Sequence, residues 1–229
     1  MRPMTLTAVL WILSPLASGA EDSSESVQRE LAKAKTAHAA ALKLAGEKLS
    51  AAVDSEIETV RKSSLKAELR IKSIGIMVKE KELFEKSGWI PVTERLQKVS
   101  ITYMKQLNAA DKPLDSAYEK YISLLLTAKD TDGAKKVLDE KKKDLPKRLM
   151  ICFEMEDGSF WTLYSDETTG GAKQRWRFVK GEIVFDFPPA TPNGKPMFDI
   201  AMVISEDGQS FHCVRDRKYT AKRVDAPKK

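Results

Sequence analysis

Residues 131–164 read TDGAKKVLDEKKKDLPKRLMICFEMEDGSFWTLY, and the organisation of the whole chain turns on them. A tight turn through Asp130, Thr131, Asp132 and Gly133 opens a short helix from about Ala134 to Leu145. Pro146 ends it, and from Leu149 the apolar side chains return at every second position through Leu149, Ile151 and Phe153. That period lays one face of a strand on a core and turns the residues between outward. The expected fold class is therefore α+β: a long antiparallel helical hairpin, coiled-coil-like, followed by a small antiparallel β-meander module. The expected division is a signal peptide over 1–20, a helical region over 21–147, and the β module with a basic tail over 148–229.

Downstream, Asp157-Gly158 and Asp207-Gly208 each sit between apolar runs, the strongest short-range hairpin signal, and Lys180-Gly181 is a weaker third. These turns place strands near 149–155, 160–164, 174–179, 182–187, 197–204, 210–215 and 219–223. At Asp207-Gly208 the register pairs Ile204 with Phe211 and Met202 with Cys213 on an inward face. Pro188, Pro189, Pro192, Asn193, Gly194 and Pro196 form the longest loop, which is either a connector or a binding surface.

Upstream, Ser23 to Ser87 holds no proline and only Gly46 and Gly75 in a background of Ala, Leu, Lys and Glu. Val53, Ile57, Val60, Ser64, Ala67, Ile71, Ile74 and Val78 step by fours and threes, the spacing of a narrow stripe for a partner helix. Unbroken, such a helix is roughly 95 Å long. Gly88 and Pro91 mark the turn into a second arm striped by Leu96, Val99, Tyr103, Leu107, Leu114, Tyr121 and Leu124. The stripe keeps phase across Pro113, so a kink or brief interruption is expected there and not a reversal.

The first residues follow a secretory pattern. Arg2 precedes an apolar run through Leu6, Val9, Leu10, Trp11, Ile12 and Leu13, which closes on small residues with Ser18 and Ala20 suited to a signal peptidase. Cleavage is expected after Ala20, with no lipid-accepting cysteine behind it and no later run apolar for long enough to span a bilayer. The expected location is the periplasm or the exterior.

Composition narrows the chemistry. The net charge of +6 comes from 39 cations interleaved with 33 anions, the pattern of solvated helix faces and not of a concentrated nucleic-acid patch. With two histidines and two cysteines scattered along the chain, no metal site is expected, and His38 falls on an apolar stripe with Leu31, Leu42 and Leu49 as a partly buried helix residue. A calcium loop at Asp130-Thr131-Asp132-Gly133 lacks its first ligand, because Ala128 stands there. His212 and Cys213 are strand neighbours whose side chains diverge, and no serine carries an elbow motif, so no catalytic residue and no cofactor is expected. Cys152 and Cys213 are the one possible disulfide: an oxidising compartment favours it and strand parity opposes it. Trp89, near the hairpin tip, is either an anchor for a partner or a cap packed over the helix ends.

The turn at Asp130 to Ala134, with Tyr121 and Leu125 before it and Val137 and Glu140 after it, forms one half of a pattern. The other half is Asp157-Gly158 with Trp161, then Trp176, then Ile204, Ser205, Asp207 and Gly208, then Lys222 and Arg223. Together they resemble uncharacterised bacterial exported proteins with helical segments followed by a small C-terminal β domain, over about residues 115–224. The chain departs from that pattern where Ile151, Cys152 and Phe153 replace a Gly-Thr-Trp-like opening. The resemblance implies architecture and export, and no catalytic residues.

Two functions follow as expectations. The first is a non-enzymatic exported envelope protein, its helices a spacer or self-association element and its β module an interaction surface for an envelope protein. The second is a saccharide- or small-ligand-binding β module, with Trp161 or Trp176 supplying a stacking face.

Overall fold

A computed structural model describes residues 18–170, 174–186, 199–214 and 220–224. Four helices precede seven strands: α1 (Ser18–Arg61), α2 (Ala67–Ser87), α3 (Glu94–Thr127), α4 (Thr131–Asp144), β1 (Leu149–Met155), β2 (Phe160–Tyr164), β3 (Arg175–Val179), β4 (Glu182–Asp186), β5 (Asp199–Ile204), β6 (Ser210–Cys213) and β7 (Thr220–Arg223). The change of period at Pro146 falls where helix gives way to strand. Asp130 caps α4 as expected, its carboxylate accepting from the Gly133 amide at 2.9 Å.

The first arm is not one helix. After Arg61 the chain breaks over 62–66 and α2 folds back along α1, with Lys81 on Asp54 at 2.7 Å and Phe84 over Gly46. The break is made by serine: the Ser63 hydroxyl donates to the Val60 carbonyl at 2.6 Å, a local bond that competes with helix continuation. The stripe drawn across it is therefore not continuous, although Ile74 beyond the break packs against the same core as Val60. Ile71 is 73 % exposed, and α2 instead buries Met77, Glu80 and Phe84.

The expected hairpin is the antiparallel pair α1 and α3, joined by Lys120 to Glu30 and by His38 to Asp111. Leu49, Val53, Ile57 and Val60 of α1 share a core with Met77, Phe84 and Leu96, and Leu31 shares another with Leu114, Tyr118 and Val137. As expected the chain does not reverse at Pro113, and α3 stays helical through it with no interruption. Pro113 removes one backbone hydrogen bond, and the flanking turns are held by Asp111 and Leu114, which pack against other elements.

The strands form one antiparallel sheet in the order β2-β1-β7-β6-β5-β4-β3. β3 to β7 run as the expected meander, and the β1–β2 hairpin joins it through β7. The edges do not stay open. Segment 165–170 returns between them, with the Tyr164 amide on the Thr168 carbonyl at 3.0 Å, Gly170 on Thr162 at 3.0 Å and Trp176 on Glu167 at 2.9 Å. This removes the unpaired strand edges, and the sheet curls until they are joined. Trp161 of β2 then meets Phe185 of β4 edge-on at 4.6 Å, although four strands separate β2 and β4 in sheet order.

The inward residues Ile151, Phe153, Leu163, Trp176, Phe178, Ile183, Phe185, Met202, Phe211 and Ala221 make one aromatic-rich core. Its helix-side end is closed by Ile90 and Val92 of the α2–α3 connection and by Met104 and Leu107 of α3. The start of β1, the turns β3–β4 and β5–β6 and the end of β7 all meet the helices here. The β1–β2 turn lies at the opposite end.

Candidate functional site at the helix–sheet junction

Two polar clusters pin the helices to the strand ends. In the first, Glu80 of α2 accepts from Arg223 of β7 at 2.7 Å and from the Val92 amide at 2.6 Å. Arg223 also donates to the Ile90 carbonyl at 2.8 Å and stacks over the Trp89 ring at 5.6 Å. Burial pushes the Glu80 carboxyl up against the pull of Arg223, and pushes the guanidinium down against the pull of Glu80. The glutamate stands between Met77 and Phe84 on the buried face of α2, a charge in an apolar row that the sequence displays and the stripe reading passed over.

In the second cluster, Arg148 grips Asp111 of α3 with both terminal nitrogens, at 2.6 and 2.9 Å, and His38 of α1 lies 2.8 Å from the same carboxylate. Burial opposes the Asp111 charge, but the bonds from Arg148 and His38 outweigh it and hold the carboxyl below its usual range. His38 is thus the partly buried helix residue expected of it.

Beside the first of these pins lies a groove of about 540 Å³. Leu65, just before α2, and Leu69, Ser73 and Ile76 of α2 form one wall. The turns Lys180-Gly181 and Ser205-Glu206 form the other, and Thr93, Glu94 and Arg95 at the start of α3 lie in the lining between. Its size is that of a small-ligand or peptide site. Glycine at 181 and 208 lets the strand turns come close: both have positive φ, and a Cβ on Gly208 would collide with Glu80. Thr93 is 7 % exposed, and its hydroxyl has no hydrogen-bond partner.

The expected binding residues are elsewhere. Trp176 and Trp89 are buried: Trp176 donates from its indole to the Tyr164 carbonyl at 3.0 Å, and Trp89 packs on Arg223, so neither presents a ring to a ligand. Trp161 is half-buried against Phe185. Cys152 and Cys213 are both buried free thiols, and strand parity puts them on opposite faces, so no disulfide joins them. Among the described residues no three His, Cys, Asp or Glu side chains are placed to hold a metal ion, and no described helix is long and apolar enough to cross a membrane. Residues 1–17 of the expected signal peptide, the proline-rich loop, and Arg215, Arg217, Lys218, Lys228 and Lys229 of the basic tail lie outside the described residues. Arg223, within the β module expected to carry a basic tail, is the buried partner of Glu80.

Sequence reasoning missed the groove because α2, the two turns and the start of α3 are remote in the chain. Its one local signal is Thr93 just before a helix. No family model, curated protein or solved structure matches this chain.

Proposed function

We propose that this chain is a non-enzymatic exported envelope protein, akin to exported bacterial proteins with a helical region before a small β domain, and that it acts by binding a protein partner in the groove between α2 and the turns of the β module. The helices serve as the support that sets this surface away from the N-terminal end. The observation that carries the reading is the groove with its open apolar wall, in which Leu69 remains 47 % exposed beside charged turns of both signs. The carboxylates with the strongest buried contacts, Glu80 and Asp111, are engaged by arginine as junction pins, which suits a scaffold better than acid–base chemistry.

A photo-crosslinking side chain in place of Leu69, in the exported full-length chain, tests this. Crosslinks to an envelope protein or a second copy are expected from Leu69 and not from Arg29, which lies far along α1. A protein that stays in the cytoplasm, or that is a strict monomer in light scattering with no crosslink from Leu69, removes the reading. Tryptophan emission that shifts with added glycans, and no longer does so in Trp161→Leu, would assign a saccharide instead.

A further inference from the structure

The stripe that the sequence lays from Val53 to Val78 is only half used by the fold. Val53, Ile57 and Val60 pack with Met77, Phe84 and Leu96. Beyond the break Ala67, Ile71 and Val78 face outward, and Ile74 alone turns partly into the core. Ile71 is 73 % exposed and Val78 38 %, so a spacing suited to a partner helix is left standing in solvent.

Gly75 lies between these two side chains, in the interior of a 21-residue helix, where glycine is less stable than alanine. Gly46 of α1 sits beneath the Phe84 ring, whereas a Cβ on Gly75 would meet nothing within 4 Å. Nothing among the described residues asks for glycine at 75; what it supplies is a place where a second backbone can come close. The helix is also held firmly behind this face, by Glu80 on Arg223, Lys81 on Asp54 and Lys72 on Glu206. Leu69 and Ile76, which line the groove, project from the other side of α2, so the two surfaces are separate.

The outer face is complementary to itself. Ile71 stands four residues before Gly75 and Val78 three after it. A second α2 laid antiparallel across the first, with a two-fold axis at Gly75, therefore sets Ile71 of each copy against Val78 of the other. Glu68 and Lys79 are both exposed and eleven residues, close to three turns, apart, so they share one rim of the stripe. The same reversal brings Glu68 of one copy to Lys79 of the other, and places Glu82 over the uncharged Ala67. A lipid surface fits less well, because glycine adds nothing to a bilayer contact and Glu68 and Glu82 border the stripe.

We propose that the outer face of α2 is a self-association surface, through which two copies of this chain pair antiparallel across Gly75. The contact is short, so the pairing is weak and reversible.

Sedimentation of the full chain over a concentration series tests this, with a monomer–dimer equilibrium expected. Ile71→Asp is expected to raise the dissociation constant roughly tenfold or more. Gly75→Leu is expected to abolish the dimer and yet raise the thermal midpoint of the monomer, since leucine is the better helix former and meets open space. Glu68→Lys and Lys79→Glu are each expected to weaken the dimer, and the two together to restore it. Copies carrying Ile71→Cys are expected to be joined by a short bismaleimide to copies carrying Val78→Cys, and neither variant to itself. Self-joining of Ile71→Cys overturns the reversed arrangement. A strict monomer, or a dimer that Ile71→Asp and Gly75→Leu leave intact, overturns the inference outright. A monomer that sediments with phosphatidylglycerol vesicles, and fails to in Ile71→Asp, overturns it in favour of a lipid surface. Crosslinks from Leu69 to an envelope protein test the groove separately, because Leu69 lies on the other side of the helix.

Discussion

Glu80–Arg223 and Asp111–Arg148 do the same work at the two sides of one junction, tying a helix to the end of a strand, but in different surroundings. The first pair is sealed, with side chains 0 and 1 % exposed, whereas the second keeps 27 and 17 % of its surface in water. Glu80 takes two hydrogen bonds from outside its own helix and Asp111 three, so the main contrast is one of dielectric. Removing a partner in the sealed pair strands a charge with no solvent to receive it; at the second, water fills the vacancy.

The largest expected effect lies in the sealed pair. Glu80→Ala leaves Arg223 charged beneath Trp89 and is expected to cost about 3–5 kcal/mol of unfolding free energy, read from urea titrations followed by circular dichroism. The double replacement Glu80→Leu with Arg223→Met is expected to regain most of that loss, because no buried charge remains. A cost below about 1 kcal/mol for Glu80→Ala, the value of a surface pair, would show that water reaches the junction and would erase the contrast.

A smaller effect, with a defined pH window, belongs to the second cluster. The Asp111 carboxyl is held below its usual range in the folded protein, so between the folded and unfolded values the unfolded chain binds more protons. The stabilisation is therefore complete above about pH 4 and disappears as the pH falls through the folded value. Asp111→Asn is expected to cost about 1–3 kcal/mol near neutrality and progressively less below pH 4. Urea midpoints measured from pH 7 down to pH 3 decide it: a gap to wild type that stays constant would mean that the Asp111 charge contributes nothing.

The β module was legible in the sequence because its signals are local. The turns at Asp157-Gly158 and Asp207-Gly208 carry the positive φ at Gly158 and Gly208 that their sequences advertise, and Ile204 faces Phe211 as the register requires. α4 was legible for the same reason, through Asp130. The break after Arg61 was not, because serine stops a helix by a side-chain bond whose formation depends on what packs nearby, and nothing like Gly or Pro marks it. Closure of the sheet by segment 165–170 was also hidden, since those residues bond through their backbones and show no alternation. The groove was least legible of all: its walls meet only once α2 has folded back on α1, the very turn that the continuous stripe concealed.

The smallest effect sharpens the contrast between satisfied and unsatisfied polar groups at the junction. Most of the buried polar contacts there are filled, whereas the Thr93 hydroxyl and the Arg223 Nε are not. An N-cap threonine that makes its bond loses about 1 kcal/mol on truncation. Thr93 makes none, and a buried hydroxyl without a partner costs free energy on folding. Thr93→Val keeps the shape and removes only that cost, so the unfolding free energy is expected to rise by up to about 1 kcal/mol. A loss of similar size in the same titration would mean that the hydroxyl is bonded within the unliganded protein, by the helix or by ordered water. Of the two unpaired groups at the junction only the Arg223 Nε would then remain. A gain would show that the threonine hydroxyl is held at the junction at a cost to stability, in contrast to the bonded groups around it.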